Sequence, residues 1–404
     1  MKKSPLLPIF LIVLVDILGL TIILPLLPFY AEKLGASATV VGLLISSYAA
    51  CQLIAGPILG RISDHVGRRP VLIVSQMGTF VGFLILAGAN VLWVVFLSRI
   101  IDGLTAGNLS LAQAYIADVT APKDRAKSFG VIGIAFGIGF LIGPAISGFL
   151  SQYGYAYPIL AAAALSATSI LCTFFLLPEV APAPLGEALD AEGPAAPAGT
   201  RLGILDWKGY VEYFRRPGLS DLLGQFFLFA FSFATFVSGF ALFAQRRFTV
   251  NGQPWGPKQI GYVFAYVGFL GIILQGGLIG MLVKRFGERR LVWSGFLAAT
   301  IGFALLGFTY RLPALLAVSA ISSYGTGVLR PAVTSLITQQ AGRREQGVVL
   351  GLTQSLTSVS QIIAPIIAGM LIGRGLLAEW ALVAAGTAFI GFLVSGFLVR
   401  FRQA

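Results

Sequence analysis

"GRISDHVGRRP" occupies residues 60–70, and a degraded copy, "GMLVKRFGERR", occupies residues 280–290. Gly60, Gly67 and Arg69 find Gly280, Gly287 and Arg289 at a constant offset of 220. A second pair repeats the relation: "IGPAISGFL" at 142–150 returns as "IAPIIAGML" at 363–371, with Pro144 and Gly148 matched by Pro365 and Gly369 at an offset of 221. Self-similarity over half the chain means two copies of one structural unit.

Composition says what that unit is. Of the 404 residues, 57% are hydrophobic and only 11% charged, with a mean hydropathy of +0.87; a soluble domain carries about 25% charged residues. Twelve apolar runs follow one another at 6–30, 40–60, 71–89, 91–117, 127–151, 157–177, 219–244, 258–283, 291–309, 313–339, 346–371 and 378–400. A bilayer crossing takes about 20 such residues. The runs are continuous rather than alternating, which predicts helices and not a barrel. The first is too long for a cleavable signal and has no small-residue cleavage site, so it reads as a retained span. The expected fold is an all-α membrane protein: twelve transmembrane helices in two pseudo-symmetric six-helix bundles, with a site between them near the midplane.

Between spans 6 and 7, "PEVAPAPLGEALDAEGPAAPAGT" (178–200) is rich in Pro, Ala and Gly and reads as a flexible linker. In "LDWKGYVEYFRRPG", which follows it, Trp207, Tyr210, Val211 and Phe214 recur at helical spacing and predict a short amphipathic helix on the membrane surface. The expected organisation is a bundle over 1–177, a linker with that helix over 178–218, and a second bundle over 219–404.

The formal charge of +12 is a topology signal rather than a nucleic-acid one. Twenty of the 28 basic residues fall in connections on the side of the N-terminus, and six on the opposite side. By the positive-inside rule both termini are cytoplasmic, which suits an even number of spans. Cys51 and Cys172 lie far apart inside spans, and His65 is the only histidine, with no other metal-ligand type near it. The expectation is no metal, no cofactor and no enzyme chemistry.

Charges inside the spans are few. Asp16 interrupts "LVDILGLTIILPLLPFY" (14–30), where an acid costs about 2.5 to 3.5 kcal/mol on insertion scales. Arg99 and Asp102 lie in span 4 at i,i+3, close enough to pair with each other. Arg99 could equally be a counter-ion shared by Asp102 and Asp16. Arg330, before Pro331, is the only charge well inside a span of the second half; it is a candidate to face the cavity and favour an anionic or acceptor-rich substrate, the alternatives being that it snorkels to an interface or neutralises Asp16 across the cavity. Asn108, Gln113, Gln225 and Gln275 are candidates to hydrogen-bond a substrate or to link helices. Span 7 carries phenylalanines on every side; Phe233 belongs to the face that could line a cavity.

These motifs resemble the major facilitator superfamily, and within it the twelve-span drug:proton antiporters typified by tetracycline efflux proteins. The resemblance covers essentially the whole chain. It implies that Gly60 and Gly67 shape a tight loop, and that Asp64 and Arg68, beside Arg69, join Asp118 in a charge network latching the bundles in one state. "SRIIDGLTAGN" (98–108) resembles the family's span-4 motif, with Asp102 where the family has Gln; the resemblance implies that Arg99 tunes the protonation of nearby acids. "GIGFLIGPAISGFL" (137–150), with Gly139, Gly143, Pro144 and Gly148, is similar to the antiporter signature of span 5. Gly271 and Ala299 stand where tetracycline exporters carry a His and an Asp, which argues against a magnesium–tetracycline chelate as cargo.

The function implied is export of a small, amphipathic organic molecule in exchange for protons, Asp16 and Asp102 being the candidate proton carriers. Burial and a neighbouring guanidinium act on a carboxyl in opposite senses, as a carrier that must load and release requires. The alternative is a metabolite or sugar exporter, or uniporter, of the same fold without proton coupling. The implied setting is a bacterial inner membrane, with substrate, protons and lipid as partners, no nucleic acid, and a monomer.

Overall fold

The computed structural model describes residues 6–119, 125–179, 207–341 and 345–401. The helices fall where the apolar runs predict: α1 (Leu6–Ile23), α2 (Leu27–Lys33), α3 (Ala38–Val66), α4 (Arg68–Ala87), α5 (Leu92–Leu104), α6 (Asn108–Val119), α7 (Arg125–Leu150) and α8 (Ala156–Leu176) in the first half. The second half holds α10 (Leu219–Arg247), α11 (Pro257–Ile273), α12 (Ile279–Phe286), α13 (Glu288–Leu306), α14 (Leu312–Gln340), α15 (Gln346–Gly373) and α16 (Leu377–Phe401). Between the halves lies the short α9 (Trp207–Arg215). Among the described residues eleven helical segments are long and apolar enough to cross a membrane, and the bent pair α1–α2, taken as one span, makes a twelfth. The chain is an integral, multi-pass membrane protein.

Three spans are less regular than their composition implies. Span 1 bends by 40° between α1 and α2, where Pro25 and Pro28 each lack the N–H a helix needs. Span 4 breaks at Thr105–Gly107, between α5 and α6. Span 8 passes through a π-helical turn, Leu274–Leu278, between α11 and α12. Of Gly60 and Gly67, Gly67 (φ +104°) turns the chain, between α3 and α4, and Gly287 (φ +76°) repeats that turn between α12 and α13. Gly60 lies inside α3 and makes no turn, contrary to the sequence expectation.

The packing is duplicated as the repeat requires. In the first half α1 packs on α7 and α8, α4 on α5 and α8, and α3 on α5; in the second α10 packs on α15 and α16, α13 on α14 and α16, and α11 on α14. The halves meet along two further pairs, α3 with α15 and α7 with α11, and the same repeat interconverts these. Matching residues make the contacts. A Cβ at Gly42 would run into the Pro365 carbonyl, and one at Gly261 into the Pro144 carbonyl. Gly369 sits against Ala38, and Gly148 against Lys258. Ser46 Oγ donates to the Ile362 carbonyl at 2.6 Å.

All of these contacts lie on the side away from where α1 begins. Glu32 pairs with Arg246 at 3.2 Å on that side, and Lys258 donates to Gln152 at 2.9 Å. Five helical turns span 18 residues, so Gly60 shares a face of α3 with Gly42, and Gly351 shares a face of α15 with Gly369. A Cβ at Gly60 or at Gly351 would meet nothing within 4 Å. The paired helices therefore touch at one end and part at the other, leaving a cavity between the halves open toward the side where α1 begins.

The amphipathic helix α9 is present. Val211 and Phe214 are exposed and Tyr213 is buried. Arg216, just beyond it, holds both Glu345 carboxylate oxygens at 2.9 Å and stands 4.4 Å over the Tyr213 ring, tying the helix to the start of α15. Residues 180–206 of the expected linker lie outside the described residues.

Gly42→Leu should prop the closed end apart by overpacking it, at about 1–3 kcal/mol. With Cys51 and Cys172 replaced by alanine, Ser46→Cys should resist a membrane-impermeant maleimide in the parent and label readily beside Gly42→Leu. Equal labelling would mean that the contact does not close this end.

Candidate functional site

The polar groups inside the first half gather where α1, α3, α4, α5 and α6 converge. The break in span 4 builds the floor. Thr105 Oγ1 bonds back to the Ile101 and Asp102 carbonyls at 2.9 and 3.2 Å, which competes with the helix ladder. Ser75 on α4 satisfies the backbone freed there: its Oγ accepts the Gly107 N–H at 3.0 Å and donates to the Thr105 carbonyl. Restarting the helix at residue 108 sets Asn108 facing the Asp16 carboxylate.

Arg99 and Asp102 are both buried and pair at 3.2 Å within α5. The guanidinium lies 5.9 Å from the Tyr48 ring centroid and 5.7 Å from that of Phe83, and Thr79 faces the Asp102 carboxylate. Gln52 donates to the Tyr48 hydroxyl at 3.4 Å. Of the two roles open to Arg99, the structure forms the intrahelical pair. No ion pair joins Arg99 to Asp16 among the described residues, so the shared counter-ion is not formed here. The i,i+3 spacing on one helix brings the charges together without any tertiary adjustment, whereas Asp16 lies on another helix.

Asp16 is thus the uncompensated acid. Its Oδ1 is sealed from solvent with no hydrogen-bond partner, as are Asn108 Oδ1 and Arg99 Nε and Nη2. Asp102 carries a cation beside it. Asp16 has no ion pair among the described residues and faces the Asn108 side chain.

The glycines of α7 work on two faces. Gly139 and Gly143 lie against Ile17 and Thr21 of α1, and Thr21 Oγ1 donates to the Gly139 carbonyl at 2.9 Å. Pro144 and Gly148 lie against Gly261 and Lys258 of α11. The helix that carries Asp16 is therefore keyed to the one that meets the other half.

The loop network forms in part as expected. Arg68 pairs with Asp64 at 2.6 Å and with Asp118 at 2.9 Å, and also donates to Ser63 Oγ at 2.6 Å. Arg69 stands apart from it, bonded to the Phe174 carbonyl and 3.9 Å from Glu179 at the end of α8. No described residue of the second half takes part, so in this open arrangement the network ties α3, α4 and α6 rather than the two bundles.

In the second half Arg330 is exposed and lies 5.3 Å over the ring of Phe136, which belongs to α7 of the first half. Gln275 is exposed in the π-turn. Gln113 is exposed on α6. Gln225 is buried at 2% exposure and so lines no open surface, and Phe233, half-buried, stacks on Phe229 with ring centroids 6.0 Å apart. Ala299 is buried against Gly325 in the contact of α13 with α14, so its substitution for an acid says nothing direct about a cavity surface. Tyr48, Thr79, Phe83 and Ser75 are additions the sequence reading lacked. The i,i+4 pair Tyr48 and Gln52 was the one available signal.

The family model of the Major Facilitator Superfamily matches residues 9–279 and 255–403. The chain belongs to the Major Facilitator Superfamily. Among relatives in it, the tetracycline resistance protein of class E from Escherichia coli is 32% identical over 360 residues, 88% of this chain and 85% of that one. Multidrug resistance protein 2 of Bacillus subtilis is 28% identical over 364 residues, 89% and 86% of the two chains. The crystal structure of the human organic anion transporter MFSD10 superposes with a TM-score of 0.73 at 24% identity, covering 96% of this chain and 98% of that one. The superfamily consists of transporters, and the two halves meeting over a central cavity are its fold.

Breaking the buried pair has a stated cost. Asp102→Ala strands Arg99 and should lower unfolding stability in detergent by about 3–5 kcal/mol, whereas Arg99→Met with Asp102→Leu should recover most of it. Asp16→Ala should cost much less. An equal loss for Asp16→Ala would mean that Arg99 depends on Asp16 after all.

Proposed function

We propose that the protein exports small amphipathic organic molecules in exchange for protons, with Asp16 as the proton site. The observation that carries the proposal is an acid inside the first half with a sealed, unpartnered oxygen and no cation paired to it. Asp102 is held by Arg99 and serves to keep that guanidinium in place. The tetracycline and multidrug resistance proteins among its relatives support the exporter reading.

The excess of basic residues on the side where α1 begins makes that side cytoplasmic, so the arrangement described is inward-open and both termini are cytoplasmic. A bacterial inner membrane and a monomer complete the reading. With the cavity facing out, a proton binds Asp16 and removes a charge from the membrane interior. The halves then rock inward as α1 and α7 move together, α7 bearing on α11 through Pro144 and Gly148. The proton leaves to the cytoplasm, cargo enters from there or from the inner leaflet, and the return movement exports it. Each proton entering is worth about 2.3 kcal/mol per 100 mV of membrane potential.

In everted vesicles, Asp16→Asn should abolish proton-driven accumulation across a panel of lipophilic cations, neutral dyes and organic anions, while substrate counterflow persists. Adding a transported compound to the solubilised wild type should release protons, and to Asp16→Asn should not. Proton-driven accumulation unchanged in Asp16→Asn would sink the proposal.

A further inference from the structure

We infer that the cargo carries an anionic group, and that Arg330 and Gln275 hold it in a corner of the cavity roofed by Phe136. This rests on the exporter reading above and adds the chemical class of what is carried.

Arg330 is an unusual charge to keep. It lies well inside a span, where an arginine is costly and is retained for a pathway or a partner. It is exposed, yet the surface above it is a ring of the opposite half, so it faces the space between the halves. Among the described residues it makes no ion pair and no hydrogen bond. Neither Asp16 nor Asp102, the acids within the spans of the first half, pairs with it: Asp16 faces Asn108, and Asp102 pairs with Arg99.

Its surroundings are built for a ligand rather than for packing. The Phe136 and Phe140 rings run along α7 with centroids 6.5 Å apart, giving an apolar wall beside the charge. A guanidinium lying over a ring keeps its N–H edge free, and that edge is a fork of donors matching a carboxylate. A second donor is at hand. A Cβ at Gly327, one turn before Arg330, would lie 4.0 Å from Gln275 Nε2. Gln275 itself is exposed, has no side-chain hydrogen bond among the described residues, and sits in a π-turn, a distortion frequent at functional sites. Beyond it a Cβ at Gly276 or Gly277 would meet nothing within 4 Å, so the corner opens into space. A positive fork, an amide donor and an aromatic wall suit an aromatic or amphipathic molecule ending in a carboxylate.

A matched set of probes tests this: 2-naphthoate, 2-naphthylmethanol and 2-naphthylmethylammonium, with affinities taken from thermal stabilisation of the full-length protein in neutral detergent. The carboxylate should bind the wild type about tenfold or more tightly than the alcohol, the scale of a charged hydrogen-bonded pair. Arg330→Gln should remove that preference and leave the alcohol's affinity unchanged. Should Arg330→Gln fail to fold, Arg330→Lys and Gln275→Leu should each weaken the carboxylate about threefold and spare the alcohol. Equal binding of carboxylate and alcohol by the wild type, or a preference that survives these substitutions, overturns the inference. So does displacement of naphthoate by added phosphatidylglycerol but not by further carboxylates, which would give the corner to a lipid headgroup. Proton release is followed in the same samples. Release lost with the preference intact refutes proton coupling and leaves this site standing, whereas release intact without preference refutes this site alone.

Discussion

Everything in this molecule hangs on a carbonyl resting against a glycine, made twice. Pro365 against Gly42 and Pro144 against Gly261 let helices from opposite halves approach backbone to backbone. The apolar interior of a membrane offers no hydrophobic drive to press helices together, so close packing of small residues must supply the attraction. Between α3 and α15 the contact is local, while between α7 and α11 it continues through Gly268 against Phe140 and Gly137 against Ile272. The α3–α15 contact closes one end of the interface and leaves the other free, as the bare faces at Gly60 and Gly351 show.

That arrangement gives the charges their meaning. Asp16 and Asp102 are the same residue type within one half, but their neighbours separate them. Asp102 shares a helix with Arg99 and is paired by spacing alone. Asp16 faces a neutral amide and keeps an oxygen unsatisfied. A paired charge inside a membrane is structure, and an unpaired one is an invitation. Thr21, one turn and a residue beyond Asp16, is bonded to the Gly139 carbonyl, which ties the helix carrying the acid to α7, one of the helices that form the seal.

Much of this was legible in the residues. The twelve spans and the matching of Pro144 with Pro365 follow from composition and repetition, because a bilayer leaves few ways to satisfy a backbone. What was not legible depends on rotation about a helix axis or on local competition for hydrogen bonds. The reading left Arg99 with two partners and structure alone separates them. Arg69 reads as part of the loop network but turns toward α8, and Gln225, which reads either as a substrate ligand or as a link between helices, is buried. The break at Thr105–Gly107 needed Ser75 from another helix, and no local pattern announces a donor thirty residues away. Ala299 shows the converse risk: a position read as facing the cargo by resemblance is packed against a neighbouring helix.

Asp16 and Arg330 stand in different halves, and no ion pair joins them. In the reading proposed here, the proton is taken by one half and the cargo's charge by the other. Coupling then needs no direct displacement of one ligand by the other. It needs only that the halves close differently with each, since a ligand shifts a conformational equilibrium by its differential affinity for the two states and by nothing else. An acid that loses its charge lowers the cost of closing around it, and a guanidinium that gains an anion does the same from the opposite wall. Either event removes a bare charge from a closing cavity. The two can therefore drive the same rocking motion at opposite points of the cycle, and the duplicated glycine contacts are the common element that both would move.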